Sequence, residues 1–337
     1  MGVNQQFDII GSFNESDAVE FDPQRLVNLY VDDDPQGKNG KALFQTPGLN
    51  LGEGIDFGGT AKGRELHILK RIMYAVVGKN INAINSTLNF NTIGTINSQE
   101  AHVGIADNGK EIIFVDGTGG WIWNPTVSAF TQISHAGFPQ SPTDVAILGN
   151  RFIVNNAESN KLHFSEEGDG LTWNAIDEFA VTSQPDDVIG LRRLNDRLFI
   201  MGEKVTEVWY DAGDPVLPYR KSDVLPYGCA AVGSITEAFG YLVWLSKTDS
   251  GIGSVVITTG TTPKAVSTQA IDKEFQRYAL TSDATGFIYR NEQGHIIYQL
   301  NFTLANKSWA FDITENRWTQ LNYNSTDRHL AEDHAFF

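Results

Sequence analysis

The sequence predicts an all-β fold, namely a β-propeller of four-stranded blades, six in number, with an N-terminal arm. Short runs of Val, Ile, Phe, Tyr and Trp alternate with polar residues between Gly, Asn and Asp, and helical periodicity is almost absent. A polar or Gly turn followed by an apolar strand recurs, as in KRIMYAVVG from Lys70 and GNRFIVNNA from Gly149. This unit returns every 40 to 54 residues, a spacing typical of propeller blades, at Arg71, Glu111, Arg151, Arg197, Tyr241 and His295.

The repeats divide the chain into three parts. Residues 1–63 form an acidic N-terminal arm and hairpin, residues 64–321 form the propeller, and residues 322–337 form a C-terminal strand that starts or closes another blade. The second repeat is predicted to contain strands at Ala101–Ala106, Glu111–Asp116, Trp121–Asn124 and Phe130–Ser134. Four-stranded units with an uncovered apolar face pack against one another until the ring closes. A β-sandwich or a solenoid with accidental spacing is the alternative.

Tryptophans are expected to fill the spaces between neighbouring sheets, because a large aromatic ring covers much of the next blade's face. The residues concerned are Trp123, Trp173, Trp209, Trp244 and Trp318.

The arm is acidic and carries two apolar groups. Residues 1–60 contain ten acidic residues against Arg25, Lys38 and Lys41. The groups LVNLYV and ALF predict a hairpin, and an arm of this length is expected to dock on a neighbouring subunit and to help assembly more than folding. The interface candidates are Leu26, Leu29, Tyr30, Asp32, Asp33, Asp34, Leu43 and Phe44.

Composition and charge exclude several classes of function. The chain has 337 residues, with 25 Lys and Arg against 41 Asp and Glu, a formal net charge of −16. Binding nucleic acid through phosphate neutralisation requires clustered cations, and anionic membrane surfaces are disfavoured for the same reason. The single cysteine, Cys229, excludes an intramolecular disulfide. The first residues lack the pattern of a signal peptide, which predicts synthesis in the cytoplasm.

The sequence predicts no catalytic, cofactor or metal site. His329 and His334 are five residues apart near the chain end, whereas a zinc-binding helix places two histidines four apart. Cys229 has no histidine partner that the sequence identifies, and no G-x-S-x-G motif is present. The acidic run at Asp32 lacks the alternation of a calcium loop. We therefore predict that the protein is not an enzyme and needs no cofactor.

One segment keeps a second function open. SEEGDGLTW, from Ser165 to Trp173, resembles the Asp-box hairpin of sialidase-type propellers, although Gly168 takes the place of its Asp and Glu166 the place of its Ser. Such boxes are structural turns, so the resemblance supports the fold. A glycan-binding or glycan-hydrolysing propeller is the alternative function.

A further resemblance concerns the middle of the chain. The segments from Ser183 to Asp214 and from Leu225 to Ser246, with the opening phrases LVNLYVDDDP and LFQTPGL, resemble the packaged-DNA stabilisation proteins of short-tailed bacteriophages. The residues that match the family's phrases include Ser183, Pro185, Asp186, Gly190, Glu207, Trp209, Gly228 and Trp244.

The resemblance implies a structural virion protein, a head-completion or tail-hub (nozzle) subunit. Its subunits would form a homohexameric ring below the portal and adaptor proteins, retain the packaged DNA, and carry the tail needle and the tailspikes or tail fibres. The ring would enclose genomic DNA without sequence-specific binding and without membrane binding. Its expected location is the tail or neck of the virion, and the host cytoplasm during assembly.

Overall fold

A computed structural model describes residues 25–33, 41–48, 54–58, 61–184, 186–214, 217–248, 251–324 and 327–335. Near the N-terminus, strands β1 (Leu29–Asp33) and β2 (Lys41–Gln45) form an antiparallel hairpin in which Tyr30 lies opposite Phe44. Ahead of this hairpin, Val27 forms a single parallel bridge with Gln320 near the other end of the chain.

Six antiparallel sheets follow in chain order within these ranges. Blade 1 contains β3 (Gly63–Leu69), β4 (Ile72–Val77), β5 (Asn80–Ile84) and β6 (Phe90–Thr95). Blade 2 contains β7 (Gly104–Asp107), β8 (Ile112–Val115), β9 (Gly120–Asn124) and β10 (Ala129–Gln132). Blade 3 contains β11 (Val145–Leu148), β12 (Arg151–Asn155), β13 (Lys161–Glu166) and β14 (Asp169–Ala180).

The remaining three blades repeat this order with additions. Blade 4 contains β15 (Val188–Leu194), β16 (Arg197–Gly202), β17 (Thr206–Asp211) and β18 (Tyr219–Leu225). Blade 5 contains β19 (Gly228–Cys229), a 3-10 turn (Val232–Ser234), β20 (Thr236–Ala238), β21 (Tyr241–Thr248), β22 (Gly251–Thr258) and β23 (Lys264–Ala265), and helix α1 (Gln269–Gln276) follows it. Blade 6 contains β24 (Ala284–Arg290), β25 (Ile296–Phe302), β26 (Lys307–Asp312), β27 (Arg317–Tyr323) and β28 (Asp327–Arg328).

The structure confirms the predicted β-propeller of six blades. In the second repeat all four predicted strands are present, with boundaries displaced by up to three residues. The first strands of successive blades contact one another from blade 1 to blade 6, so they lie nearest the axis. The turn between the first two strands of blade 4 shows why the repeat folds locally. Asn195 there has φ of 56°, a left-handed conformation that asparagine tolerates better than most residues.

Five apolar clusters fill the five junctions between successive blades. Phe114 and Trp123 lie between blades 1 and 2, and Phe152 and Trp173 between blades 2 and 3. The clusters of the next three junctions include Leu162, Tyr219, Phe199, Trp244, Tyr298 and Trp318. Four of the five tryptophans expected between sheets are buried, whereas Trp209 is only half-buried.

The N-terminal segment forms the outer edge of blade 6. The Gln320 amide donates to the Leu26 carbonyl and the Asn28 amide donates to the Gln320 carbonyl, both at 2.9 Å. The Asn28 side chain donates to the Asn322 carbonyl and accepts from the Asn322 amide. The described part of the arm is therefore bonded to the edge of β27 through a single bridge and forms a hairpin beside the last blade.

Candidate functional site

Three of the family-resembling residues, Ser183, Glu207 and Trp209, meet at the entrance to blade 4. Glu207, on β17, is fully buried, and its Oε1 accepts hydrogen bonds from the backbone amides of Thr182 and Ser183 at 3.1 and 2.7 Å. The Trp209 indole donates to the other carboxylate oxygen at 2.8 Å, and Lys221 lies 3.2 Å from Oε1. Burial alone would raise the pKa of Glu207, but these hydrogen bonds hold it below its ordinary value. Glu207 therefore fixes the connection from blade 3 to blade 4.

The same arrangement recurs in the two preceding blades. Asp116 of blade 2 accepts from the amides of Asn97 and Ser98 in the connection from blade 1. Asn155 of blade 3 accepts from the amides of Thr143 and Asp144 in the connection from blade 2. In each of these blades, one buried polar side chain accepts hydrogen bonds from two successive backbone amides of the connection that enters the blade. Because these amides lie away from water, they need such an acceptor within the protein. The repeat spacing did not reveal this role, because the residue type differs from blade to blade.

The other family-resembling residues lie within blades 4 and 5 and at the junction between them. Asp186 is buried and accepts from the Lys204 amide at 2.6 Å. A side chain at Gly228 would lie 2.0 Å from the Glu203 carbonyl oxygen, and the Gly228 carbonyl accepts from the Trp244 indole at 3.1 Å. A side chain at Gly190 would collide with Ile235. Pro185 lies outside the described residues.

The structure separates the N-terminal interface candidates into two groups. Leu26 and Tyr30 are buried against blade 6, and Tyr30 contacts the His295 ring at 4.9 Å. Leu43 and Phe44 on β2 expose 45% and 40% of their surface. Leu29 is half-buried, and Asp34 lies outside the described residues. The Asp32 carboxylate is 3.9 Å from the His295 ring, and the Asp33 carboxylate is 3.1 Å from the Arg317 guanidinium. Only β2 therefore offers a large apolar surface from this set.

A charged cluster that sequence reasoning missed lies near the axis. Fully buried Asp144 accepts from the Leu191 amide at 2.7 Å and from the Arg192 guanidinium at 3.0 Å. Burial alone would raise the pKa of Asp144, but the Arg192 charge and these hydrogen bonds keep it below its ordinary value. The cluster borders a polar cavity of about 810 Å³ among the first strands, which we call the axial cavity.

Two further carboxyls line the axial cavity, and their pKa values are raised rather than lowered. Burial, followed by the charge of Asp333, raises the pKa of Glu65 well above its ordinary value. Burial raises the pKa of Asp333 to about 6, although the amides of His334 and Leu66 donate to its carboxylate. Strand periodicity could not place these residues together, because they are 268 positions apart in the chain.

A second cavity, of about 590 Å³, lies between the N-terminal hairpin and blade 6, and we call it the seam cavity. Tyr30 and Phe44 line it from the hairpin, and Phe287 and Tyr289 line it from β24. Residues near the C-terminus, among them Asp333 and His334, complete its wall.

The described residues hold no group of three or more His, Cys, Asp or Glu placed to bind a metal ion. Cys229 is buried, and burial raises the pKa of its thiol to about 12, so the thiolate needed for nucleophilic attack is absent at neutral pH. No helix within these ranges is both long and apolar enough to cross a membrane.

The segment that resembles an Asp box is a structural turn. Asp169, one position after the expected Asp, accepts from the Leu171 amide at 2.9 Å and from the Thr172 hydroxyl at 2.8 Å. Trp173 is fully buried in the junction between blades 2 and 3. The Gly170 amide donates to Glu111 of blade 2 at 3.2 Å. The hairpin thus joins blades 2 and 3 through this hydrogen bond and through the burial of Trp173.

A profile of the family described as Bacteriophage P22 Gp10, beta-propeller, matches residues 5–337. The chain belongs to this family. Membership confirms the resemblance to phage DNA-stabilisation proteins and makes this Gp10-family propeller a phage structural protein of the virion. Two residues of the phrases that carry this resemblance lie between blades. Glu207 binds the connection from blade 3, and Gly228 of blade 5 packs closely on Glu203 of blade 4.

Solved structures align with this Gp10-family member at low sequence identity, so their likeness to it is one of fold alone. Two bacterial chains, the extracellular domains of a hybrid two component system and of a one component system from B. thetaiotaomicron, align with TM-scores of 0.54 and 0.53 at 8% identity. Each alignment covers 83% of this chain and 36% of the other, so this chain spans about a third of their length. A chain of the mitotic checkpoint complex aligns at 11% identity over 76% of this chain and 77% of that chain, with a TM-score of 0.48. No curated protein matches the chain.

Proposed function

We propose that this phage structural protein is a head-completion or tail-hub subunit that forms a ring below the portal and adaptor and retains packaged DNA. The observation that carries the proposal is the family match, which extends over residues 5–337. The site is in keeping with it, because the family-resembling side chains bond to groups of the propeller itself rather than converge on a substrate. Such a subunit needs a rigid body and a surface for its neighbours.

The proposed surface for a neighbouring copy is β2. Leu43 and Phe44 are exposed on this strand, and no described strand pairs with the edge of β2 that faces away from β1. An exposed strand edge with apolar side chains is suited to pairing with another chain. The acidic composition suits a ring around DNA, since a net charge of −16 repels the phosphate backbone during passage.

Loss of the gene product tests the function. Heads that lack the protein should fill with DNA and then lose it, because packaged DNA presses outward on an unplugged portal. Nuclease-protected DNA in purified heads, measured with and without the protein supplied from a plasmid, gives the result. Heads that keep their DNA without the protein would contradict the proposal.

The surface has its own test. The double variant Leu43→Ser with Phe44→Ser should stay monomeric when mixed with portal–adaptor complexes, whereas the wild type should form rings visible by electron microscopy. The matched control is Val127→Ser with Ile176→Ser, which removes two side chains that are more exposed but lie on blades 2 and 3. Rings formed equally by both variants would exclude β2 and leave the DNA-retention test unaffected.

No observation favours a glycan-binding or glycan-hydrolysing protein. The segment on which that alternative rests is the structural turn between blades 2 and 3.

A further inference from the structure

The seam cavity has the size and the walls of a site for a small ligand. Its volume of about 590 Å³ lies within the range of roughly 300 to 1,000 Å³ that such sites occupy. On the hairpin, the rings of Tyr30 and Phe44 stack with their centroids 5.6 Å apart. On the other side of the seam, the His334 ring stacks on Phe287 at 6.5 Å and contacts Tyr289 at 5.9 Å. Aromatic walls of this kind favour a flat ring, because aromatic rings pack well by stacking and by edge-to-face contact.

Asn291 supplies this cavity with a buried donor that has no acceptor. The residue lies in the turn between β24 and β25, lines the cavity and exposes only 8% of its surface. Its Oδ1 accepts from the His295 amide at 2.8 Å, and this bond fixes which end of the side chain carries the nitrogen. The nitrogen, Nδ2, is buried and has no hydrogen-bond partner within the described ranges. Since an unpaired buried donor is unfavourable, an oxygen atom of a bound ligand would supply the missing acceptor.

Arg290 places a positive charge beside this donor. It directly precedes Asn291, lines the same cavity and is exposed, and its guanidinium forms no ion pair or hydrogen bond with any residue that the structure describes. Partial burial lowers the pKa of His329 and His334, so these two histidines of the wall are uncharged at neutral pH. Arg290 is therefore the cationic group among the described lining residues. A guanidinium and an amide together suit the two oxygens of a carboxylate.

Two carboxyl groups in the wall limit the negative charge that a ligand can carry. Glu292 follows Asn291 in the turn and is exposed, and Asp333 lines the cavity from the C-terminal segment. The Asp333 carboxylate already accepts from the amides of Leu66 and His334, both at 2.7 Å. Because like charges repel, a ligand with one negative charge suits this wall better than a doubly charged phosphate.

We propose that the seam cavity binds a planar aromatic ring that carries one carboxylate. The ring lies between the hairpin and β24, and the carboxylate accepts hydrogen bonds from Asn291 and Arg290. A free aromatic acid and the last residue of a polypeptide that ends in an aromatic side chain share this chemistry. The proposal does not depend on the head-completion function, because one chain contributes all of these residues.

Titration calorimetry of the intact protein at pH 7 tests the ligand class. The probes are indole-3-acetate for a free acid and the peptide Gly-Gly-Trp for a chain end, and the tighter of the two identifies the source. Indole-3-acetamide has the same ring without the charge and should bind at least about tenfold more weakly than indole-3-acetate, because a hydrogen bond to a charged group is lost. Acetate, which lacks the ring, should not bind measurably. The proposal is overturned if neither acid binds at millimolar concentration, or if the acetamide binds as tightly as the acetate derivative.

Variants of the turn test the position of the carboxylate. Arg290→Gln removes the charge, and Asn291→Asp keeps the oxygen that accepts from His295 but replaces the donor, so each should weaken indole-3-acetate binding by about tenfold or more. Glu292→Gln removes a repelling charge and should strengthen binding. The matched control is Arg220→Gln, an exposed arginine on blade 4, which should bind like the wild type. Because Arg290 is exposed, its replacement leaves the fold intact, and wild-type affinity in Arg290→Gln would overturn the assignment.

The aromatic wall and the location have their own measurements. Phe44→Leu should weaken indole-3-acetate binding about three- to tenfold through loss of ring packing, whereas Phe90→Leu on blade 1, where the phenylalanine is similarly exposed, should leave it unchanged. In nitrogen-15 spectra the side-chain amide signal of Asn291, assigned by its absence in Asn291→Asp, should shift as indole-3-acetate is added. Binding without a shift of this signal would place the ligand elsewhere and overturn the proposal.

Discussion

Buried polar residues at the entrances to the blades define the connections between blades in this propeller. Glu207 satisfies two backbone amides and the Trp209 indole from a position without solvent exposure. Sequence comparison draws attention to Glu207 as part of a phrase, but the sequence gives no way to tell such a residue from a catalytic carboxylate. The structure makes the distinction, because the hydrogen-bond donors to Glu207 are backbone amides and an indole of the propeller itself.

Replacing Glu207 tests this role. Glu207→Ala leaves buried donors without an acceptor and should lower the free energy of unfolding by about 3 kcal/mol. Because the folded pKa of Glu207 is below its ordinary value, the contribution is present above pH 5 and is lost as pH falls through the folded pKa. Urea denaturation at pH 7 and pH 3.5 measures both effects. The control is Glu203→Ala, since Glu203 is partly exposed beside Lys247 and should change stability by less than about 1 kcal/mol. Similar losses for both variants would contradict the assignment.

The tryptophans provide a second comparison between single residues. Trp173 is fully buried between blades 2 and 3, so Trp173→Ala should cost about 3–5 kcal/mol of unfolding free energy. The sequence predicts Trp209 between sheets, but the structure shows it half-buried, and Trp209→Ala should lower the free energy of unfolding by roughly 2 kcal/mol. Thermal and urea denaturation of the two variants would show the order. A larger loss at Trp209 would contradict the packing described here.

At the level of elements, local pattern predicts the interior of each blade better than the closure of the ring. The alternation of apolar and polar residues around Ile112 and Trp121 defines β8 and β9, because each strand's period depends on its own residues. The partners of Leu26 and Tyr30 lie more than 260 positions away, at Gln320 and His295, and no local pattern encodes them. For the same reason the sequence does not predict that Glu65 and Asp333 line one cavity.

The N-terminal segment illustrates the consequence for stability. The sequence predicts that the arm helps assembly more than folding, and this stays a prediction. In the structure, Leu26 and Asn28 bind β27 of blade 6. Deletion of residues 1–33 removes five hydrogen bonds to Gln320 and Asn322 and exposes apolar surface under Tyr30. It should lower the free energy of unfolding by roughly 5 kcal/mol. Deletion of residues 1–24 keeps these contacts and is the control. Denaturation midpoints that are equal in the two deletions would show that the segment does not stabilise the ring.

For the whole molecule, carboxyls with opposite pKa changes predict a stability that declines on both sides of near-neutral pH. Hydrogen bonds and charge hold the pKa values of Asp116, Asp144 and Glu207 low against the effect of burial, so their contributions are lost as pH falls below about 4. Burial lowers the pKa of His163, His329 and His334, so their charging in the unfolded chain adds to the loss below about pH 6.5.

The loss of stability at alkaline pH has a different origin from the loss at acidic pH. Well above pH 6.5, His163, His329 and His334 are neutral in both states, and the raised pKa values of Asp333 and Glu65 leave the folded chain holding more protons than the unfolded chain. The free energy of unfolding should therefore decrease above about pH 7.5, and repulsion within a chain of net charge −16 acts in the same direction. Urea denaturation at half-unit intervals from pH 3.5 to pH 8.5, at 0.15 M salt, measures the profile, and 0.5 M salt separates the long-range repulsion from the two carboxyls. A free energy of unfolding that rises steadily up to pH 8 would show that Glu65 and Asp333 are ionised without cost in the folded protein.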